Sequence, residues 1–262
     1  MEIICLIVTL LACTLGSICG MGGGVIIKPV LDALGLYGVS TINFLSGCTV
    51  LGMSSWSVFK TLVRKESVIK FKTSTSLALG AAVGGITGKQ IYGLTEKSIA
   101  TPDMAGGIQA AVLFIAVLGT FIYTVNKDKI KSKTITNIMW CVLIGFLLGN
   151  IGAFLGIGGG PFNVAVLYYF FSMDTKTAAQ NSLYVIVFSQ AAGLMQTAMS
   201  NKVPDFDVWI LIGMILCGVI GSEIGRRINK GLSDKKATQL LEGVMILIML
   251  INVYNIIKFI VI

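Results

Sequence analysis

Long apolar runs alternate with short polar stretches along the whole chain. The longest apolar runs cover residues 3–19, 105–125, 138–155, 208–225 and 244–262. Each run reaches or approaches the roughly 20 residues that a helix needs to cross the hydrocarbon core of a bilayer. The residue-by-residue alternation of a transmembrane barrel is absent. The pattern therefore predicts an all-α polytopic membrane protein.

Composition supports this class and removes several others. Of the 262 residues, 55% are hydrophobic and 12% are charged, with a mean hydropathy of +0.88. The net charge of +8 comes from basic residues in short loops between apolar runs. Such loops set membrane orientation, so no nucleic-acid partner is expected. Because the chain has no histidine and its six cysteines form no C-x-x-C spacing, no metal site or cofactor is expected either.

The sequence repeats itself after 136 residues. The stretch Gly20-Met-Gly-Gly-Gly24 aligns with Gly156-Ile-Gly-Gly-Gly160. With one extra residue, Gly84-x-x-x-Gly88-Lys89 aligns with Gly221-x-x-x-Gly225-Arg226, and these two glycine pairs are typical of close helix packing. We therefore predict two homologous halves, residues 1–130 and 131–262, within one integral membrane domain.

The distribution of lysine and arginine predicts that the halves are inverted. Loops at residues 60–72, 127–133 and 226–236 are rich in cations, whereas the loops around Lys97 and Lys202 are poor in them. The positive-inside rule places the three rich loops in the cytoplasm and the two poor loops outside. Equivalent loops of the halves then face opposite sides of the cell membrane, and both termini lie outside. The first apolar run lacks a basic leading region and is predicted to be retained rather than cleaved.

The short segments 25–36 and 161–172 constrain this topology. At 1.5 Å per residue each is about 18 Å long, too short for a hydrocarbon core of about 30 Å. We therefore predict two re-entrant hairpins, 3–19 with 25–36 and 137–155 with 161–172, each followed by three transmembrane helices. Because 137–155 is long enough to cross, a ten-span arrangement with tilted short segments remains the alternative.

The glycine stretches at the hairpin tips are the candidate binding site. A helix that starts after glycines presents free N–H groups and the positive end of its dipole, and backbone can approach a ligand closely there. Two such tips meeting near the midplane predict an anion site. The predicted substrate-binding residues are Gly22, Gly23, Gly24, Lys28, Asn43, Ser46, Gly158, Gly159, Gly160, Asn163, Gln180 and Asn181, with Ser182 as a further polar candidate.

Each of these residues also has a structural interpretation. Glycines serve helix packing, and Lys28 can pair with Asp32 or extend to the membrane surface. The asparagine, glutamine and serine side chains can form hydrogen bonds between helices. Glu223, close to Arg226 and Arg227 in sequence, is interpreted mainly as part of a structural or topogenic ion cluster, with gating or proton coupling as the alternative.

The paired glycine motif, with Pro29 or Pro161 behind it, resembles that of the TauE/SafE sulfite exporter family over essentially the whole chain. The resemblance implies a secondary transporter for small sulfur-containing anions, such as sulfite, thiosulfate or an organosulfonate. The motif carries over at Gly20, Gly22, Gly23, Gly24 and Pro29, and at Gly156, Gly158, Gly159 and Gly160. The second half departs from the first, since its proline directly follows the glycines and Val164 stands where the first half has Lys28.

The sequence leaves other functions open. A transporter of another small organic anion, such as a carboxylate, an anion channel and a membrane scaffold all fit the apolar pattern. An enzyme is not expected, because the chain has no histidine, paired intramembrane carboxylates or nucleophile motif. The anion, the direction of transport, coupling to protons or sodium and the oligomeric state are not determined by the sequence. For a transporter, we hypothesise alternating access between the two halves.

Overall fold

The computed structural model describes residues 2–65, 67–99 and 102–260, and within them the chain forms ten α-helices and no strand. The helices are α1 (Glu2–Cys19), α2 (Gly24–Leu34), α3 (Val39–Val63), α4 (Phe71–Ser98), α5 (Pro102–Asn126), α6 (Ile138–Phe154), α7 (Pro161–Phe171), α8 (Thr175–Met199), α9 (Val208–Gly231) and α10 (Asp234–Ile260), with a 3-10 turn at Lys127–Lys129. The predicted all-α class is confirmed. In residues 2–126 and again in residues 138–260, the first helix is followed by one short helix and then by three long helices.

Four helices in the described residues are long and apolar enough to cross a membrane. They are α1, the segment Met104–Asn126 of α5, α9 and α10. Their outward faces expose large apolar side chains, among them Leu11, Ile115, Leu216 and Leu250. An exposed apolar belt of this kind is expected where lipid, not water, surrounds the protein.

Three further helices, α3, α4 and α8, are long but less apolar. They contain 25, 28 and 25 residues, which at 1.5 Å per residue exceeds the thickness of a hydrocarbon core. These helices form the centre, where α8 packs against both α3 and α4. Their polar side chains, such as Ser46, Thr49 and Ser54 on α3, are buried inside the protein. Mean hydropathy is lower for these helices because much of their surface faces other helices.

The chain reverses sharply between α1 and α2. The N–H of Met21 donates to the carbonyl of Gly16 at 3.1 Å, and Gly20 and Gly22 adopt φ angles of 72° and 75°. Side chains other than glycine rarely adopt such positive φ values, so the turn depends on its glycines. We call residues 20–23 the first glycine turn.

The chain reverses in the same way between α6 and α7. The N–H groups of Ile157 and Gly158 donate to the carbonyl of Gly152 at 3.2 and 3.1 Å, and Gly156 and Gly158 have φ angles of 70° and 76°. We call residues 156–160 the second glycine turn. The two turns thus share their positive-φ glycines as well as their sequence pattern, whereas α2 already begins at Gly24 and the aligned Gly160 is still extended.

Small residues allow α1 to pack tightly against α9, and α6 against α4. A Cβ at Gly221 or Gly225 would overlap the carbonyl oxygens of Leu10 and Thr14 on α1. A Cβ on Gly84 would likewise overlap the backbone of α6. The packing role predicted for the two G-x-x-x-G pairs is confirmed. Each hairpin therefore packs against a long helix from the other half of the sequence.

The helices after the two hairpins begin differently. Asp174 caps α8, accepting hydrogen bonds from the N–H of Thr177 at 2.9 Å and from its hydroxyl at 2.7 Å. Burial alone would raise the pKa of Asp174, but these hydrogen bonds outweigh it and hold that pKa below its usual value. Gly38, at the corresponding position before α3, has no side chain to cap the helix.

Candidate functional site

The two glycine turns lie against each other inside the helix bundle. A Cβ added to Gly24, at the start of α2, would overlap the carbonyl oxygen of Ile157 in the second turn. Ile186 on α8 lies beside both turns, next to Gly22 and next to Gly159. The structure therefore brings together the glycines that the sequence placed at the tips of the two hairpins.

Helices α3 and α8 supply polar side chains around the turns. Asn43 lies directly against Gly156, and Gln190 lies against Gly158. Ser46 and Asn163 are also buried. Four polar side chains around or near the turns, three amides and one hydroxyl, are therefore shielded from water. Asn43, Ser46 and Asn163 were predicted from sequence, whereas Gln190 was not.

Several buried oxygen atoms on α3, α7 and α8 have no hydrogen-bond partner among the described residues. They are Asn43 Oδ1, Ser46 Oγ, Asn163 Oδ1, Ser182 Oγ and Ser189 Oγ. Leaving a buried polar atom unpaired costs about 1–3 kcal/mol. Serine hydroxyls and asparagine NH₂ groups can donate hydrogen bonds to an anion. The unpaired serine hydroxyls therefore offer donors whose cost of burial an anion would offset, whereas the two asparagine oxygens are acceptors that an anion would not satisfy.

Lys28 is buried, but its charge is compensated. Its Nζ forms a salt bridge with Asp32 at 2.5 Å, four residues further along α2, and both side chains are 3% exposed. Gln109, Leu155 and Asn252 border the narrow space next to this pair. The ion pair was the alternative interpretation of Lys28 from the sequence. The first hairpin thus carries a neutral pair rather than a free cation.

Gln109 on α5 connects this ion pair to the turns, and sequence reasoning missed it. Its Nε2 donates to the carbonyl of Phe154 at 2.5 Å, immediately before the second glycine turn, and its Oε1 accepts from Asn43 Nδ2 at 3.5 Å. A glutamine within an apolar run was the available signal, because a buried amide requires partners.

The structure does not bring Gln180 and Asn181 into the cluster at the glycine turns. The amide of Asn181 makes four hydrogen bonds, with Val68, Lys70, Ser74 and Thr177. Gln180 Oε1 accepts from the N–H of Val68 at 3.1 Å. Both amides hold the segment before α4 against the start of α8, so their hydrogen-bonding capacity is used for that contact.

Two open cavities approach the glycine turns from different ends of the bundle. The narrow vestibule is lined by residues that include Ser40, Asn43, Lys89, Tyr92, Glu96 and Thr197. The wide vestibule is lined by residues that include Ser17, Ser57, Thr61, Ala179, Gln180 and Arg226. Asn43 touches the second turn, and Ala179 lies directly against Gly20 of the first turn. Each vestibule therefore ends at one glycine turn.

An ion cluster stands at the wide vestibule. Arg226 donates to both carboxylate oxygens of Glu223, at 3.2 and 2.8 Å, and Arg227 donates to the same carboxylate at 2.9 Å. The ion cluster predicted for these three residues is confirmed. Arg226 is one-tenth exposed, whereas Arg227 is 71% exposed.

A helical bundle with an apolar exterior and a polar centre defines a multi-pass α-helical membrane protein. The family described as Sulfite exporter TauE/SafE matches residues 5–253, and the chain belongs to this family of membrane transporters. A transporter family is not a class of enzymes.

Two curated relatives have names of the same kind. The chain is 23% identical, over 265 aligned positions, to the probable membrane transporter protein YunE of Bacillus subtilis (strain 168), a match that covers 94% of this chain and 95% of the relative. It is 33% identical over 87 positions to the probable membrane transporter protein y4hK of Sinorhizobium fredii, covering 33% of this chain and 35% of that protein. No solved structure gives a significant match.

Proposed function

We propose that the protein is a secondary transporter that moves a small sulfur-containing anion, such as sulfite, thiosulfate or an organosulfonate, across the cell membrane. The anion is held between the two glycine turns. The observation that carries this proposal is the contact between the turns, where Gly24 meets the carbonyl of Ile157, in a region with buried and unpartnered polar atoms.

The topology in this proposal is an inverted repeat with two re-entrant hairpins. Support comes from the reciprocal packing of the halves, because α1 packs on α9 while the corresponding helix α6 packs on α4. The hairpins then enter from opposite sides, as in transporters whose substrate site lies near the membrane midplane. Six of the long helices cross the membrane in this arrangement, and the halves move relative to each other to expose the site alternately.

The chemistry of the turns suits an anion. Helices α2 and α7 both begin at a glycine turn, so their positive dipole ends are directed to one region, although Pro161 at the start of α7 has no N–H to donate. Among the described residues, the N–H of Gly23 donates to the sulfur of Met53, at 3.2 Å. Since thioether sulfur is a weak acceptor, an oxyanion can replace it at little cost. Ser46 and Ser182 add hydroxyl donors.

The Lys28–Asp32 pair has an electrostatic role in this proposal. Because Asp32 compensates Lys28, the empty site does not hold an unpaired buried cation, which would be costly. An anion near the turns would still be attracted by Lys28, the member of the pair that lies nearer to the start of α2, and by the positive ends of the helix dipoles. Protonation of Asp32 would release Lys28 toward the anion, which gives one route to proton coupling.

The membrane potential affects the direction in which the anion is transported. Export of an anion from a cell that is negative inside gains about 2.3 kcal/mol per charge per 100 mV. Export therefore needs no coupled ion, whereas uptake against the potential needs protons or sodium. A transporter of small carboxylates uses the same donors, and an anion channel would leave the turns open to both sides at once.

Ligand binding to the purified protein tests this proposal. Sulfite, thiosulfate, a sulfonate and small carboxylates are each titrated while thermal unfolding is followed. A ligand at about 100 times its Kd stabilises the native state by about 2.7 kcal/mol, so a sulfur anion is expected to raise the Tm more than the carboxylates do. If no sulfur anion changes the Tm, or the carboxylates act equally well, the substrate assignment is wrong.

Two asparagines provide a matched pair for the same titration. Asn163→Ala is expected to weaken anion affinity about tenfold, the effect of losing one hydrogen bond to a charged ligand. Asn181→Ala is expected to lower stability without changing affinity, because its four hydrogen bonds all go to protein groups. In liposomes, saturable flux identifies a carrier and an anion conductance identifies a channel.

A further inference from the structure

The two vestibules are built from corresponding positions of the sequence repeat. With the shifts of 136 and 137 residues, the pairs that line them are Ser40 and Lys176, Asn43 and Ala179, Lys89 and Arg226, Tyr92 and Asn229, and Thr61 and Thr197. A cation therefore stands at one equivalent position in each vestibule. Lys89 holds this position in the narrow vestibule and Arg226 holds it in the wide one.

The two cations differ in their surroundings. Arg226 is bonded to both carboxylate oxygens of Glu223, which lies three residues before it on α9. The position that corresponds to Glu223 on α4 is Ile86. Within the part of the chain whose side chains the structure describes, no carboxylate forms an ion pair with Lys89. The positive charge of Lys89 is thus not compensated by a direct partner.

Glu96 is the carboxylate that lines the narrow vestibule, and it has other partners. It accepts hydrogen bonds from the hydroxyls of Ser40 at 2.5 Å and Tyr92 at 3.4 Å. The bond from Ser40 connects α3 to α4, and neither bond involves Lys89. The Lys89 stem packs near Gly193 of α8, where a Cβ would lie 3.5 Å from its Cγ.

A lysine inside a membrane helix is costly unless it pairs with a carboxylate or faces a polar cavity, and such residues mark ion pathways. Lys89 faces a cavity that also contains hydroxyl and amide groups, including Ser40, Thr197 and Asn43. Asn43 in turn contacts Gly156 of the second glycine turn. Polar groups therefore line the narrow vestibule as far as Asn43, which contacts the second glycine turn.

We propose that Lys89 is an anion-binding residue of the narrow vestibule, which receives the substrate oxyanion on its way to or from the glycine turns. This inference rests on the proposed anion transport and adds a second, transient site to it. Arg226, held by Glu223, is a weaker attractor at the matching position. Anion movement through the narrow vestibule should therefore depend more strongly on Lys89 than anion movement through the wide vestibule depends on Arg226.

Charge restoration at position 89 tests the proposal. Lys89→Cys is introduced in the full chain, and anion flux into right-side-out membrane vesicles is measured at low substrate concentration. The flux is expected to fall about tenfold, as for the loss of one charge-assisted contact. A membrane-impermeant methanethiosulfonate that adds an ethyltrimethylammonium group should restore most of the flux, and one that adds an ethylsulfonate should not. Lys89→Arg should retain flux.

Lys97→Cys, at the exposed end of the same helix, is the matched control and should keep normal flux with either reagent. Reagent-treated wild-type protein controls for its own cysteines. Equal flux of Lys89→Cys and wild type, or equal effects of both reagents, would overturn the role of Lys89. If the wild-type protein itself shows no saturable anion flux, it is the proposed function that fails, which separates the two results.

Discussion

The two hairpins share a backbone and differ in the side chains behind it. Both turn on glycines with φ angles between 70° and 76°, and both are followed by an 11-residue helix. Behind the first turn lies the buried ion pair of Lys28 and Asp32, whereas behind the second lie uncharged Asn163 and Val164. The backbone can therefore supply the same pair of helix ends to a ligand from both halves, while charge is present on one side alone.

This difference suggests how the halves divide their tasks. A geometry formed by main-chain atoms is set by glycine positions and tolerates change in neighbouring side chains. A buried ion pair is sensitive to the removal of either member and to protonation. We infer that the second hairpin contributes mainly shape, whereas the first hairpin also determines how the site responds to charge.

The largest effect is expected from separating the ion pair. Lys28→Met or Asp32→Asn alone leaves one buried charge without its partner and should reduce the free energy of unfolding by about 3–5 kcal/mol. The double variant Lys28→Met/Asp32→Asn should recover most of that loss. Thermal unfolding of the purified variants measures the effect. A double variant as unstable as the single ones would show that the two charges do not act as a pair.

The double variant also tests whether the charge difference between the two hairpins affects anion binding. If it still binds the anion with nearly normal affinity, both hairpins work through their backbones and the charge asymmetry is dispensable. If affinity is lost while stability is retained, the first hairpin contributes charge to the site.

An intermediate effect is expected at the first glycine turn. Gly22→Ala places a Cβ where the nearest side-chain atoms are 3.5 Å away, so it should cost about 1–2 kcal/mol from the positive φ angle alone. Gly20→Ala has the same strain and also overlaps the backbone of Ala179, so its loss should be larger. Unfolding of both variants under identical conditions gives the difference. Equal losses would mean that α8 moves freely away from the turn.

The corresponding glycines of the second turn provide a second comparison for the same measurement. There, an added Cβ at Gly156 or Gly158 would overlap the side chains of Asn43 and Gln190 rather than backbone. Because side chains can rotate away, Gly156→Ala should be less destabilising than Gly20→Ala and should instead disturb the polar cluster.

The smallest effect is expected at the helix caps that follow the hairpins. Asp174→Ala should cost about 1 kcal/mol, and Gly38→Asp should gain a few tenths of a kcal/mol at the equivalent position. Because the folded protein lowers the pKa of Asp174, its contribution is present above the unfolded value of about 3.9 and is lost as the pH falls through the lower folded value. Unfolding at pH 6 and pH 3 should show a smaller cost of Asp174→Ala at pH 3 than at pH 6.

Much of the secondary structure follows from local sequence rules. The predicted segments 25–36 and 161–172 correspond to helices Gly24–Leu34 and Pro161–Phe171, and 137–155 corresponds to Ile138–Phe154. These boundaries were predictable because glycine and proline fix where a helix starts or ends. The sequence repeat then indicated that the two glycine stretches have related surroundings.

The contacts of individual polar side chains were less predictable. Nothing in the local sequence indicates that Gln109 bonds to Phe154, or that Asn181 holds the segment before α4. Both depend on which helices pack together, and those helices are far apart in sequence. The same reason explains why Lys89 was passed over, since its cavity forms only when α3, α4 and α8 meet.

The packing of α1 on α9 also has a consequence during synthesis. Asn229 of α9 donates to the carbonyl of Ile18 at the end of α1, across 211 residues of sequence. At 5–20 residues per second, a ribosome needs about 10–40 s to produce the later helix after the first hairpin has emerged. Throughout that interval the nascent hairpin lacks its main packing partner, so lipid or an insertion factor must shield its small-residue face until translation is nearly complete.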